Sequence, residues 1–332
     1  MNRPIDKVYS YDIDGNLFHL DTHILLEELQ DDGSWKLIEV PVKEFDHNIL
    51  YNSPKYKPLD DNWEKAFMNS RDFHENKKHK GIRWYQKDIK TALQAWEFGN
   101  SFYRLLFDSF LEARPSSKNT ARGHTPDNLK QWDRIVMKKM LTKEWKEYMA
   151  EKIQQKYNYG ISTVRWNMRK YLDDNMYYPW ANIESQKLLW IQDVSSSAVR
   201  KTFFQDHYIH YITKFIRKYQ DLDPSCPVKM WFSDDGYDNI KEMMRFFIAK
   251  KQEDIEPYNN FRYRLYYTGN NLDIVQKNLE EELVSILGKE HSVLVEQKTY
   301  NLWEDEKISS QKSLISDVVD LKRTIKNLKI ML

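Results

Sequence analysis

The chain has little of what most quickly assigns a protein to a class. It carries one cysteine, Cys226, in 332 residues, so no intramolecular disulfide can form and a reducing compartment is the expected setting. A lone thiol becomes a nucleophile only beside a base or another activating group. Cys226 lies between Asp223-Pro224-Ser225 and Pro227-Val228, which reads as a turn into a strand, so a structural role is expected. The formal net charge is only +1, which gives no long-range pull toward nucleic acid or an anionic membrane. No run of about 18 apolar residues occurs, as a transmembrane helix would need, and the N-terminal stretch has no apolar signal-peptide region. Long-period repeats and low-complexity segments are also lacking. These absences predict a soluble, cytoplasmic protein with no membrane partner.

What is present is the material of a packed core. Hydrophobic residues make up 41% and aromatics 14% of the chain, and disordered chains are poor in aromatics. The length suits one large domain with insertions, or two domains. Charged residues reach 30%. The basic runs at 77–90 and 139–156 read as solvated faces.

Strand and helix signals alternate along the sequence. Residues 7–11 form a first strand candidate, running into Asp12-Ile13-Asp14-Gly15. Residues 22–29 and 35–42 flank the turn Asp31-Asp32-Gly33-Ser34 and predict a hairpin. Residues 88–111 read as one helix. Thr125 and Pro126 open another, as N-cap and first position, with helical and basic character to residue 157. Leu188-Leu189-Trp190-Ile191 reads as a buried strand, 198–219 as a helix, and 227–232 as a strand. Residues 237–250 read as a helix with Ile240, Met243, Met244, Phe247 and Ile248 on one face, 261–267 as a strand, and 273–288 as a helix. The aromatic stretch 166–180 has no clear periodicity. Its rings suit core packing, or stacking on bases beside Arg and Lys. His207 and His210, three apart on a helix, lack further ligands and read as packing or surface groups. At the end, Leu314, Val318, Leu321, Ile325, Leu328 and Leu332 alternate steps of four and three, an a/d seam. It suits docking on the same chain or pairing with a second copy.

Such alternation predicts an α/β fold with a mostly parallel, doubly wound sheet, whose site lies at the carboxyl ends of its strands. Two of those ends are acidic: Asp12 and Asp14 after the first strand, and Asp234 and Asp235 after 227–232. Two carboxylate pairs meeting there suit a hard cation such as Mg²⁺, which takes oxygen ligands. A calcium loop counted from Asp12 fails, because its glycine and glutamate positions hold Leu17 and His23.

Asp12-Ile13-Asp14-Gly15-Asn16-Leu17 resembles the first motif of the haloacid dehalogenase superfamily, Asp-x-Asp-Gly-Thr-[Leu/Val]. Thr120-Ala121-Arg122-Gly123-His124 resembles the second, Ala198-Val199-Arg200-Lys201 the third, and Ser233-Asp234-Asp235-Gly236 the last, all in the family's order. The resemblance implies a Rossmann-like catalytic core at 1–18, 112–125 and 186–290. It implies insertions at 19–111 and 126–185, either of which can serve as a cap, with the heptad-patterned helix at 306–332 outside. It implies a Mg²⁺-dependent phosphohydrolase with Asp12 as nucleophile, Asp14 as general acid and base, Thr120 as a phosphate donor and Lys201 as a fixed charge. Asp12, the Asp14 carbonyl, Asp234 and Asp235 would hold the metal. Arg122 and His124, next to Thr120, are candidates for substrate contact. Ser195 is the alternative to Thr120, and Arg200 the alternative to Lys201. The partner implied is a phosphorylated small molecule or a phosphorylated nucleic-acid end. A non-catalytic binding protein on the same core is the competing reading.

Overall fold

A computed structural model describes residues 4–41, 53–71, 84–159, 162–191, 194, 196–269 and 278. The helix expected at 273–288, the heptad tail at 306–332 and Ser195 lie outside the described residues, Asn278 apart.

The strands are β1 (Lys7–Tyr11), β2 (His23–Leu29), β3 (Trp35–Pro41), β4 (Tyr56–Pro58), β5 (Ser116–Thr120), β6 (Met176–Pro179), β7 (Val228–Asp234) and β8 (Phe261–Tyr267). The longer helices are α1 (Trp84–Ala95), α2 (Pro126–Met140), α3 (Lys143–Tyr157), α4 (Val164–Asp173), α5 (Ser197–Ile216) and α6 (Tyr237–Gln252). Five strands form one sheet in the order β6-β5-β1-β7-β8, every neighbouring pair parallel. The order runs outward in both directions from β1, so β1 is the central strand, and its end meets crossovers leaving toward either edge. A separate antiparallel sheet, β3-β2-β4, has its own small core of Ile24, Leu26 and Ala66. The chain is thus α/β, with a parallel sheet and flanking helices. Among the described residues no helix is long and apolar enough to cross a membrane.

Helices lie on both faces of the parallel sheet, and β5 shows it residue by residue. Consecutive strand side chains point to opposite faces. Lys118 pairs with Asp133 of α2, while the neighbouring Asn119 amide donates to the Lys201 carbonyl of α5 at 3.2 Å. A parallel sheet covered on both faces normally reads as apolar runs. Here β1 and β7 bury Val8, Val228, Met230 and Phe232, and α5 and α6 add Phe204, Tyr208, Ile212, Ile240, Met243 and Phe247. Each such side chain contributes about 1.5–3 kcal/mol when fully buried.

β5 departs from that pattern. Its sequence, Ser-Ser-Lys-Asn-Thr, is wholly polar, and every residue is buried. Most of its polar groups have partners: the Ser117 and Ser10 hydroxyls share a hydrogen bond at 2.9 Å, and the Ser116 N–H donates to Asn175 Oδ1 at 3.0 Å. Lys118 Nζ sits 2.8 Å from Asp133 Oδ2, both side chains wholly buried, and Tyr177 donates to the same oxygen at 2.7 Å. Burial pulls the Lys118 ammonium down and pushes the Asp133 carboxyl up, and their contact opposes both shifts.

Two expectations change. The helix expected over 88–111 ends at Ala95. Trp96 takes a left-handed backbone (φ 60°), and a π-helical turn, Leu105–Leu111, follows. The break lets residues 97–101 pair with the loop after Asp14: His19 donates to the Glu97 carbonyl, and Gly99 to that of Leu17. A side chain at position 99 would meet the Asn16 carbonyl at 2.4 Å, which explains the glycine. The segment 126–157 is helical as expected, as two helices, α2 and α3, separated by Leu141 and the N-cap Thr142. Leu188-Leu189-Trp190-Ile191 is not a buried strand. Leu188 ends the short helix Ile183–Leu188, and Trp190 is 91% exposed. The strand lies earlier, as β6, within the segment 126–185 expected as an insertion. Buried Tyr171, Tyr177 and Tyr178 show what the aromatic stretch mostly does, which is to fill the core.

The buried Lys118–Asp133 pair gives a stability prediction. Asp133→Ala leaves a buried ammonium without its counter-charge and should cost about 3–5 kcal/mol, whereas Lys118→Met with Asp133→Leu should recover most of that loss. Urea unfolding of the three proteins measures it. An Asp133→Ala midpoint equal to wild type would show that the pair carries no such strain.

Candidate active site

The site forms where three segments reach the carboxyl end of the sheet. β1 delivers Asp12 one residue past its end, and β7 delivers Asp234 as its last residue. The strands are adjacent and parallel, with Tyr11 opposite Ser233, so the two aspartates emerge side by side. α5, capped by the Ser196 hydroxyl on the Val199 N–H, brings Lys201 across the sheet face to meet them.

The Lys201 ammonium donates to Asp12 Oδ1 at 2.8 Å and to Asp234 Oδ2 at 2.5 Å. The three side chains are 3%, 7% and 0% exposed. Arg200, the alternative cation, points elsewhere: its Nε donates to the Val194 carbonyl, and its guanidinium lies 5.2 Å from the centre of the Trp180 ring. Asp234 Oδ1 accepts from the Gly236 N–H and from Asn239 Nδ2, each at 2.9 Å, so this carboxylate is oriented from both sides. Asp235 completes a cluster in which one carboxylate oxygen from each of Asp12, Asp234 and Asp235 lies within 4.8 Å of the others.

Gly15 permits that approach. Its φ is +71°, and a Cβ there would fall 1.9 Å from Asp235 Oδ2. Asn16 ties the strand ends together. Its amide donates to the Asp12 carbonyl at 2.9 Å and to the Ser233 carbonyl and hydroxyl at 3.1 and 3.0 Å, and its oxygen accepts from Thr268 at 2.8 Å. A hydroxyl has one proton and could not serve both strands this way.

Charge explains how the groups titrate. Burial alone would lower the Lys201 ammonium, but Asp12 and then Asp234 outweigh it and hold it above the usual lysine range. Asp12 is pushed well above the usual carboxylate range by burial, against Lys201, with Asp234 and Asp235 adding to the rise. Both directions hold together, because three carboxylates compete for one ammonium. Burial, and next Asp234, raise Asp235 to about 6. Three carboxylates facing one ammonium leave an excess of two negative charges when all are ionised. An all-oxygen donor set with that excess fits a hard divalent cation such as Mg²⁺.

The remaining sequence candidates lie around this cluster. Asp14 is the more open carboxylate, 29% exposed, and it pairs with Arg122 rather than with Lys201. Thr120 ends β5 and is buried, its hydroxyl oxygen accepting the Arg122 N–H at 3.3 Å. Arg122 is 3% exposed, with its guanidinium on Asp14 and Thr22. His124 is buried on the loop before α2. His207 and His210 contact Tyr178 and Tyr258, away from the acidic cluster. Sequence reasoning missed Thr22 and Asp88, whose link to Arg122 joins residues 66 and 100 apart and has no local signal.

Comparison with family models, with curated proteins and with solved structures finds no match for the chain.

The raised Asp235 carboxyl predicts how cation affinity depends on pH. Asp235 gains its proton as pH falls through about 6, and a cation that needs the ionised form then binds more weakly, by up to about tenfold per pH unit. Calorimetric titration with Mg²⁺ or Mn²⁺ between pH 5 and 8 checks this, and Gly15→Ala should weaken binding at every pH by displacing Asp235. Equal affinity at pH 5 and pH 7 would exclude Asp235 from the ligand set.

Proposed function

We propose that the chain is a Mg²⁺-dependent phosphohydrolase that acts on phosphomonoesters through an aspartyl-phosphate on Asp12, on a doubly wound core of the haloacid dehalogenase type. The observation that carries this reading is the Lys201 ammonium held between Asp12 and Asp234 at the ends of neighbouring parallel strands, with Asp235 beside them. Supporting it, the strand order reverses at β1, and in such sheets ligands bind outside the carboxyl ends at that point.

The chemistry follows from what each residue can do. In the first half, an Asp12 carboxylate oxygen forms a bond to phosphorus as the ester P–O bond breaks, which is nucleophilic catalysis by a carboxylate. Asp14, two residues on and more open to solvent, gives a proton to the departing oxygen. In the second half, Asp14 takes a proton from the water that attacks phosphorus, which releases phosphate and restores Asp12. Lys201 keeps the buried Asp12 oriented and offsets the repulsion between carboxylate and phosphate. Asp12, Asp235, Asp234 and the Asp14 carbonyl are the groups that would hold Mg²⁺, which when bound supplies positive charge to the phosphoryl oxygens.

A narrower substrate class, phosphorylated nucleic-acid ends, is favoured by one feature of the rim. The Trp180 backbone N–H donates to the Thr120 carbonyl at 2.9 Å, and the Trp180 ring lies under Arg200. A partly exposed ring beside a guanidinium suits base stacking.

The test is phosphate release from a panel of phosphomonoesters, including 3′- and 5′-phosphorylated oligonucleotides, with and without Mg²⁺. Wild type should turn over at least one member only with Mg²⁺, and Asp12→Asn should lose at least about 10³-fold. A preference for oligonucleotides that fades with rising salt would select the nucleic-acid class. No turnover of any member by folded, Mg²⁺-supplied protein would favour the non-catalytic binding reading instead.

A further inference from the structure

Asp14 is held in a way the proposed chemistry does not by itself explain. Arg122 Nε donates to Asp14 Oδ2 at 2.9 Å, with Oδ1 at 3.2 Å, and Nη2 donates to Oδ1 at 2.6 Å. This fork fixes the plane of a carboxylate as well as its position. The guanidinium is 3% exposed, against 29% for Asp14, so the buried partner anchors the open one. Nη2 also donates to Thr22 Oγ1 at 2.7 Å. An arginine only donates, so the Thr22 oxygen accepts there and its single proton is directed to Asp88 Oδ2 at 2.6 Å. The run Asp88–Thr22–Arg122–Asp14 therefore crosses from α1, in the segment between β1 and β5, to the loop beyond β1.

We propose that Arg122, braced by Thr22 and Asp88, is a positioning residue that aims the Asp14 carboxyl at the departing and entering oxygens, instead of binding substrate. This rests on the phosphohydrolase reading, and on Asp14 as its acid and base. Asp14 needs such help because it lies beyond the strand, past Asp12 N, which still bonds to the Ser233 carbonyl, and just before a glycine in the left-handed region. Lys201 holds Asp12 and Asp234 but makes no hydrogen bond to Asp14 among the described residues. Proton transfer requires the carboxyl within hydrogen-bond reach of the reacting oxygen, and a misplacement of about 1 Å can cost about a hundredfold in rate. Because Arg122 Nε and Nη2 are committed to Asp14 and Thr22, its loss should move kcat and leave KM nearly unchanged.

The experiment is steady-state kinetics of Arg122→Ala, Arg122→Lys, Thr22→Val, Asp14→Asn and the Asp14→Asn/Arg122→Ala double variant, on p-nitrophenyl phosphate with Mg²⁺. This leaving group departs without needing a proton, so residual turnover by Asp14→Asn stays measurable. Arg122→Ala should lower kcat by about 10- to 100-fold with KM within about threefold. Arg122→Lys should rescue little, since one ammonium cannot reproduce the fork. Thr22→Val should lower kcat by a few fold, and added guanidinium ion should restore part of the Arg122→Ala rate. In the Asp14→Asn background, Arg122→Ala should cost almost nothing further, and guanidinium should have no effect. A rise in KM with kcat unchanged would make Arg122 a substrate ligand and overturn the inference, as would an equal loss in the wild-type and Asp14→Asn backgrounds. If Arg122→Ala does not fold, unchanged kcat in both Arg122→Lys and Thr22→Val overturns it instead. An inactive wild type overturns the phosphohydrolase reading, and this inference with it. An active wild type with only a KM defect in Arg122→Ala overturns this inference alone.

Discussion

One ammonium group between two buried carboxylates sets most of what surrounds it. Lys201 joins α5 to the ends of β1 and β7 through Asp12 and Asp234. A buried charge with no partner is expensive, and a buried pair is tolerated only when its geometry is good and its other polar atoms are satisfied. The neighbourhood supplies both conditions. Asp234 takes two further donors from the start of α6, and Asn119 on β5 holds the Lys201 carbonyl. Asn16 ties the two strand ends with one amide. Moving any of these elements would strand a charge, so the register of β1 on β7 and the seating of α5 depend on this contact as much as on apolar packing.

The same constraint explains the backbone features nearby. Asp235 can approach Asp12 only across a residue with no side chain, and the turn needs a positive φ, so Gly15 meets two demands at once. The chain near residue 96 gives up a regular helix so that 97–101 can clamp the loop carrying Asp14 through Gly99, His19 and Asn16. The Phe18 ring then packs edge-on against Phe102 at 5.0 Å and Trp132 at 5.4 Å. That aromatic cluster anchors the loop from below while leaving Asp14 partly open above.

How much of this was legible in the sequence depended on how local each signal is. The runs at 7–11, 227–232 and 261–267 announced their strands, and Ile240, Met243, Met244, Phe247 and Ile248 announced α6, because burial imposes a period on neighbouring residues. Thr125-Pro126 marked a helix start because capping is chemistry between residues three apart. The acidic pairs at 12/14 and 234/235 were visible as pairs following strands, although their convergence depended on which strands become neighbours. β5 was not legible. Nothing in Ser-Ser-Lys-Asn-Thr suggests a buried interior strand, since its burial depends on Asp133, Asn175 and Ser10, which are far away in sequence. Leu188–Ile191 failed for the converse reason: a short apolar run suits a strand or an exposed helix end equally, and only tertiary packing decides.

The two buried cationic sites on β5 and α5 illustrate why residue type alone could not separate structure from chemistry. Lys118 and Lys201 are both buried lysines facing aspartates at hydrogen-bond distance. Lys118 meets one aspartate, which Tyr177 also satisfies, in the middle of a strand. Its charge is balanced one for one, and the pair is wholly buried. Lys201 meets two aspartates, with a third nearby, at strand ends where the Asp14 carboxyl is open. When all three are ionised, its surroundings carry an excess of negative charge that Lys201 does not neutralise. A balanced buried pair is a fold element. An unbalanced one at the mouth of a parallel sheet could hold a cationic ligand, and that difference in charge, not the presence of a lysine or an aspartate, is what supports the proposed chemistry at Asp12.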